Sequence, residues 1–439
     1  MSLGTDVPVL AVVPFAALLL GIAILPIVAH HWWERNRNRA ILSFGLALPI
    51  VVWLLSHGEA GMTELLHKLE EYLSFILLLG SLFVISGGIH IRGSLSGTPL
   101  LNTAILGLGT LLASVIGTTG ASMLLIRPLL RANRSRRGRI HIVVFFIFTV
   151  SNCGGLLTPL GDPPLFLGFL KGVPFAWTFR LWLEWLVVNG VLLAVFNVWD
   201  QIVLAREEKE RPGSQLEEVM RHAPLGVDGG RNFLFLLGIV LVILGSGQGF
   251  LNGGDPWPYG IQEGLMAAIA LLAFFTTPRA IRASNSFSFG PIVEVAVLFA
   301  GIFVTMAPAL LLLNRHAPGL GISEPWQLFW ATGLLSSFLD NAPTYLTFAA
   351  TACGIEGISL EGAYLARYLE LGPEAAAKLA AISCGAVFMG ANTYIGNGPN
   401  FMVKAIAEEN GVRMPGFFGY MAYSFGILVP ILVGITFLF

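Results

Sequence analysis

Ser151-Asn-Cys-Gly-Gly-Leu-Leu-Thr-Pro-Leu-Gly-Asp-Pro-Pro164 interrupts a long apolar run, and Ala391-Asn-Thr-Tyr-Ile-Gly-Asn-Gly-Pro-Asn400 echoes it far downstream. Each segment sets an Asn ahead of a Gly-Asp/Asn-x-Pro turn inside sequence greasy enough to lie in a bilayer. Gly and Pro stop the helix and free carbonyls and amides that hydrocarbon cannot satisfy. Such backbone survives at membrane depth only where it is buried in protein or lines a polar cavity. Two breaks at matching places in two halves are the mark of a secondary transporter built from inverted repeats.

Composition sets the class. The chain has 439 residues, 55% of them hydrophobic and only 12% charged, with a mean hydropathy of +0.76. Soluble domains carry roughly 25% charged residues, so the expected class is an all-α polytopic protein of the lipid bilayer. The opening run 7–29 has no basic stretch before it and reads as a retained first span. Cys153, Cys353 and Cys384 suggest neither a disulfide framework nor a metal-binding spacing. A net charge of −1 gives no footing for nucleic acid. No nucleotide-binding Gly-rich loop, zinc-protease helix or serine-hydrolase elbow is present, which argues against an enzyme and leaves an ion gradient as energy source. No cofactor is expected beyond a transported or coupling sodium ion.

Apolar runs of about 20 residues predict spans near 7–30, 39–56, 72–90, 140–170, 185–199, 232–249, 261–277, 291–313, 376–403 and 416–439. Segments 99–130 and 324–353 carry Gly or Asp-Asn-Ala-Pro at their midpoints and read as straight spans or as hairpins that return to one side. Charge decides. Arg35, Arg37 and Arg39, Arg92, the cluster Arg131 to Arg139, the linker residues Arg206, Lys209, Arg211, Arg221 and Arg231, and Arg279 with Arg282 share the cytoplasmic side, by the positive-inside rule, only if 99–130 is a hairpin. The second hairpin, flanked by Glu324, Glu356 and Glu361, then enters from outside, and both termini lie outside. The expected organisation is a first inverted repeat over 1–199 (hairpin 99–130, broken helix 140–170), a cytoplasmic linker over 200–231, and a second repeat over 232–439 (hairpin 324–353, broken helix 376–403). Asn152 aligns with Asn392, and Gly161-Asp162-Pro163-Pro164 with Gly396-Asn397-Gly398-Pro399.

Ionisable side chains inside a membrane are costly and are functional candidates by default. Two lie in the breaks, Asp162 and Asp340. Asp340 sits at a hairpin tip, where its carboxylate, the Asn341 amide and carbonyls freed by Pro343 suit a hard cation; it could hold either a proton or sodium. Its structural alternative is an N-cap. Asp162, ahead of Pro-Pro, reads naturally as an N-cap too, and Asn397 could cap equally well uncharged. Asn152, Asn392, Thr118, Thr119 and Thr393 are neutral oxygen donors beside the breaks, joined by Ser151, Thr158 and Asn400. The expected sodium set is Asp340, Asn341, Asn152 and Asn392. Glu263 and Glu294 begin spans and read as interfacial, Arg127 as snorkelling, and His90 as an ordinary span-end residue.

Ser151-Asn-Cys-Gly-Gly with Thr158-Pro-Leu-Gly-Asp-Pro-Pro164, Asp340-Asn-Ala-Pro343, and Asn392-Thr393 with Gly396-Asn-Gly-Pro-Asn400 resemble the ion transporter superfamily over nearly the whole chain. They look most like its NhaD-type sodium/proton antiporters and the neighbouring CitMHS-like citrate transporters. The resemblance implies scaffold and transport parts in each half, re-entrant hairpins meeting broken helices, a homodimer, elevator-like motion and residence in a bacterial inner membrane. Carboxylate transporters of the superfamily carry Ser-Asn-Thr in both hairpins, whereas these tips read Gly-Thr-Thr-Gly and Asp-Asn-Ala-Pro. That places a negative charge where a carboxylate would bind. The expected activity is sodium (or lithium)/proton antiport, with sodium- or proton-coupled citrate or dicarboxylate symport as the alternative.

Overall fold

Hydrocarbon leaves every backbone amide to be satisfied within its own segment, so long apolar runs become helices. The computed structural model describes residues 7–33, 35–94, 96–210, 212–213, 223–253, 257–285 and 287–438. Among them, nine helices are long and apolar enough to cross a membrane. The chain is an all-α integral membrane protein, with one two-stranded antiparallel ribbon among the described residues, β1 (His90–Ser94) with β2 (Ala223–Asp228).

The helices are α1 (Val13–Val28), α2 (Asn36–Ser56), α3 (Gly58–Ser86), α4 (Pro99–Ile116), α5 (Thr118–Ala132), α6 (Ile140–Thr149), α7 (Pro163–Leu170) and α8 (Trp182–Glu210). After the ribbon come α9 (Asn232–Gly247), α10 (Ile261–Thr276), α11 (Gly290–His316), α12 (Pro325–Ser336), α13 (Asn341–Ile355), α14 (Pro373–Met389) and α15 (Gly398–Glu409). The last helix, α16 (Phe417–Leu438), contains a π turn. Two expected spans are longer than their apolar cores suggest: 72–90 begins at Gly58, and 185–199 runs on to Glu210.

That extension corrects the expected linker. Residues 200–210 continue the helix, and although most of them are exposed, Asp200 is fully buried. Arg136 Nη2 lies 2.6 Å from its carboxylate, His141 Nε2 lies at 2.8 Å, and Asn102 Nδ2 donates at 2.9 Å. A buried charge is tolerated only with such partners. Residues 223–228 of the linker form β2, while Arg211 and 214–222, with Arg221, lie outside the described residues.

Both broken helices sit at the centre. The 18-residue stretch 140–157 is 89% buried and the corresponding window of 373–392 is 83% buried, against 28% for α2 and 22% for α16. The outer helices turn Leu20, Ile24, Ile41, Phe44, Leu48 and Val52 outward, as lipid contact requires. Helices α2 and α3 pack on α11, and α3 on α10, forming one side of the molecule. On the other side the two halves exchange partners: α5 packs against α15, and α13 against α7.

Each expected hairpin is two helices joined at a tight turn. Gly117 alone links α4 to α5 with φ +79°, a left-handed conformation that glycine adopts without a Cβ penalty. Ser337 to Asp340 link α12 to α13. The outer ends of the first helix pair meet the ribbon, where Arg131 Nη2 donates to the Ile91 carbonyl at 2.6 Å. The second pair closes elsewhere, with Asn314 Nδ2 donating to the Ala350 and Ile358 carbonyls, both at 3.0 Å.

Candidate functional site

The breaks leave orphan backbone groups, and side chains satisfy them one by one. The Gly154 carbonyl accepts from Ser114 Oγ (2.5 Å) and Trp185 Nε1 (3.0 Å), Cys153 from Asn189 Nδ2 (3.2 Å), and Leu157 from Thr178 Oγ1 (2.9 Å). In the second break Tyr420 donates to the Ala391 carbonyl (2.8 Å) and Ser424 to Asn392 (2.7 Å). Asn400 Nδ2 holds the Gly390 and Thr393 carbonyls at 2.8 and 2.9 Å. This is how irregular backbone becomes stable away from water. A Cβ on Gly161 would overlap the Gly155 carbonyl, so the first break closes only through glycine.

Four helix N-termini converge on these turns, those of α5, α7, α13 and α15, capped in position by Gly117, Asp162, Asp340 and Asn397. Their macrodipoles favour negative charge. Asp162 supplies it at the centre, 1% exposed. Its Oδ1 accepts from Thr118 Oγ1 at 2.9 Å and from Asn397 Nδ2 at 3.4 Å, and its Oδ2 from Asn341 Nδ2 at 2.8 Å. The donors come from the first helix pair, the second helix pair and the second broken helix. Charge-assisted hydrogen bonds of this kind are the strong ones.

The network continues outward. Asn397 Nδ2 also reaches Asn152 Oδ1 (3.1 Å) and the Ser151 carbonyl (3.2 Å), and Asn152 Nδ2 donates to Asn400 Oδ1 (2.6 Å). Ser151 and Ser122 share a hydroxyl contact at 2.8 Å. Seven of the twelve expected site residues therefore form one connected cluster around Asp162: Thr118, Ser151, Asn152, Asn341, Asn397, Asn400 and the carboxylate itself.

The rest stand apart from the carboxylate. Asp340 is half-buried and accepts from the Ala342 amide at 3.1 Å, so its capping role is realised while its edge faces a cleft. Thr119 lines the same cleft. Thr158 bonds the Ser114 carbonyl, and Thr393 the Ser337 carbonyl at 2.5 Å; both hold a break against its neighbouring helix pair. Asn392 Nδ2 donates to Ser337 Oγ at 2.9 Å, and its buried Oδ1 has no partner among the described residues. The expected sodium set of Asp340, Asn341, Asn152 and Asn392 is not joined by mutual hydrogen bonds among the described residues; the connecting carboxylate is Asp162.

Equivalent contacts also fix how the halves correspond. Thr158 on Ser114 matches Thr393 on Ser337, and Gly161 against Gly155 matches Gly396 against Gly390. This register sets Asp162 opposite Asn397, as the sequence suggests, but sets Asn152 opposite Val387 and Asn392 opposite Leu157. The expected pairing of Asn152 with Asn392 does not hold, because each break contains its Asn at a different depth.

Beside the cluster lies a cleft of about 580 Å³. Helices α3 and α11 contribute Leu79, Leu82, Phe83, Leu298 and Phe299, while Thr118, Thr119, Gly161, Pro163, Asp340 and Asn397 come from the turns. The cleft also holds Arg39 and Glu294, paired at 3.0 Å. In the sequence both resemble residues of a membrane surface. Arg39 sits in a run of three loop-like arginines, and only the start of α2 at Asn36 turns it toward the cleft. Glu263, by contrast, does cap its helix, accepting from the Gly260 amide at 2.9 Å.

Residues 4–439 match the protein family described as "Putative citrate transport". No curated protein matches the chain.

Proposed function

The chain belongs to this family of membrane transport proteins, and we propose that it is a secondary active symporter that moves citrate or a related dicarboxylate with a coupling cation, sodium or a proton. The observation that carries the reading is the buried Asp162 carboxylate, held by Thr118, Asn341 and Asn397 from three separate segments beside a cleft of substrate size that its neighbours Gly161 and Pro163 line.

The charge arrangement supports coupling. An organic carboxylate entering the cleft meets Asp340 on the wall and Asp162 behind Gly161 and Pro163. At a separation of about 5 Å and an effective dielectric of about 20, each like-charge pair costs roughly 3 kcal/mol, a factor of about a hundred in affinity. A proton or sodium ion that neutralises the carboxylates removes that repulsion, and the converging helix N-termini then favour the anion. Cation and anion thus help each other to bind by the same factor.

Sodium (or lithium)/proton antiport is the second reading. It is favoured by the tips, which lack Ser-Asn-Thr and present a carboxylate instead. Protein reconstituted in liposomes containing a pH dye separates the two. Symport predicts labelled citrate accumulating under an inward sodium or proton gradient; a pH change on adding sodium or lithium, with no citrate uptake, supports antiport and overturns symport.

A neutral ligand for the cation should be an oxygen not already committed. Asn392 Oδ1 meets that condition, whereas both polar atoms of Asn152 are engaged. Asn392→Ala is expected to raise the half-saturating cation concentration several-fold, where about 1.4 kcal/mol is tenfold, with little change in thermal stability. Asn152→Ala is expected to lower the unfolding midpoint instead. The reverse pattern would exclude Asn392 as a ligand.

A further inference from the structure

The cleft carries one cationic side chain among its described lining residues, Arg39. Among the described residues, three groups hold the guanidinium. Nη1 donates to Asn36 Oδ1 at 2.6 Å, Nη2 pairs with Glu294 Oε1 at 3.0 Å, and the Trp33 ring lies beneath it at 5.4 Å. Its side chain is only 11% exposed, while that of Glu294 is 36% exposed. Trp33, Asn36, Arg39 and Glu294 all line the cleft.

Two features argue against a purely structural ion pair. Arg39 sits in the first turn of α2, where a cation opposes the helix macrodipole rather than benefiting from it. A fixed guanidinium in an apolar-walled cleft is also a bidentate receptor for a planar carboxylate, with geometry that an ammonium cannot match. We propose that Arg39 anchors one carboxylate of the transported organic anion, and that Glu294 occupies the guanidinium as an internal competitor until substrate displaces it. The proposal rests on the organic-anion reading above and deepens it, since it names the residue that selects for a carboxylate.

The anchor complements the Asp162 cluster. The cation-binding turns present carboxylates, so an anion with several carboxylates gains nothing from them until a cation arrives. Arg39, on the helices across the cleft from those turns, gives the far end of the same molecule a charge of the right sign. An elongated di- or tricarboxylate then bridges the cation-neutralised turns and Arg39; a monocarboxylate reaches only one of them.

The two partners of the ion pair should respond in opposite directions, which a structural bridge would not do. In citrate uptake by reconstituted protein, Arg39→Gln is expected to raise the half-saturating citrate concentration more than tenfold while leaving the half-saturating cation concentration, measured at saturating citrate, unchanged. Arg39→Lys should recover only part of the loss. Glu294→Gln is expected to lower the half-saturating citrate concentration, because the competitor is gone. Parallel losses in Arg39→Gln and Glu294→Gln, or unchanged citrate dependence in Arg39→Gln, overturn the assignment. If Arg39→Gln fails to fold, Glu294→Gln decides alone, and unchanged or weaker citrate affinity overturns the proposal. Wild-type protein that takes up no carboxylate overturns the transport reading itself and this assignment with it.

Discussion

Asp162→Asn is expected to abolish cation-driven citrate uptake, because the neutral amide removes both the charge that binds the cation and the repulsion that the cation relieves, leaving citrate binding indifferent to the gradient. Asparagine keeps the shape, and the Asp162 side chain makes no capping bond to α7, so the helix retains its start. The variant loses the charge, and it also loses one acceptor. Thr118, Asn341 and Asn397 all donate to Asp162, and an amide can accept on one atom only. Uptake assays beside a thermal melt separate the outcomes: loss of transport with a retained cooperative melt supports the coupling role. Folded Asp162→Asn with normal gradient-driven uptake would contradict it. Asp340→Asn supplies the contrast. It keeps the bond to the Ala342 amide while removing one cleft charge, so transport should persist with weaker cation dependence.

The second large effect concerns stability. Arg136 and Asp200 are both fully buried in their side chains and 2.6 Å apart, at the outer ends of the first helix pair. Removing Arg136 leaves the buried Asp200 charge with only His141 and Asn102 as partners, and breaking a buried pair costs about 3–5 kcal/mol. Arg136→Met is therefore expected to lower the thermal midpoint in detergent sharply. The double variant Arg136→Met/Asp200→Leu should recover much of the loss, because an apolar pair of similar volume is often neutral. An unchanged midpoint in the single variant, or an additive loss in the double, would show that the pair is not the tie holding this end together.

What the sequence disclosed follows from the range of the interactions. Breaks and turns were legible because Gly and Pro act locally: Gly117, Asp340-Asn-Ala-Pro343 and the two Gly-Asp/Asn-x-Pro turns punctuate the helices where the structure breaks them. The network around Asp162 was not legible. Asp-Pro-Pro reads as an ordinary cap, and the donors that make Asp162 central lie 44, 179 and 235 residues away. Asp340, more conspicuous at a tip, proved to be the carboxylate that bonds its own helix. Arg39 was hidden for a related reason. Three alternating arginines look like a surface loop, and only the helical phase from Asn36 shows which one turns inward. Asp200 was read as the first residue of a polar linker because charge rises after it, although the helix carrying it continues to Glu210.

The central claim is that a cation on the Asp162 cluster and an organic anion in the cleft bind cooperatively. Calorimetric titration of purified protein with citrate at several sodium concentrations and pH values, and of the cation with and without citrate, measures this directly. Tighter citrate binding with rising cation or proton activity is predicted, with the same factor recovered when the order is reversed, and with the dependence lost in Asp162→Asn. Citrate affinity that is independent of every cation tested, in a wild-type protein that binds citrate, would contradict the account.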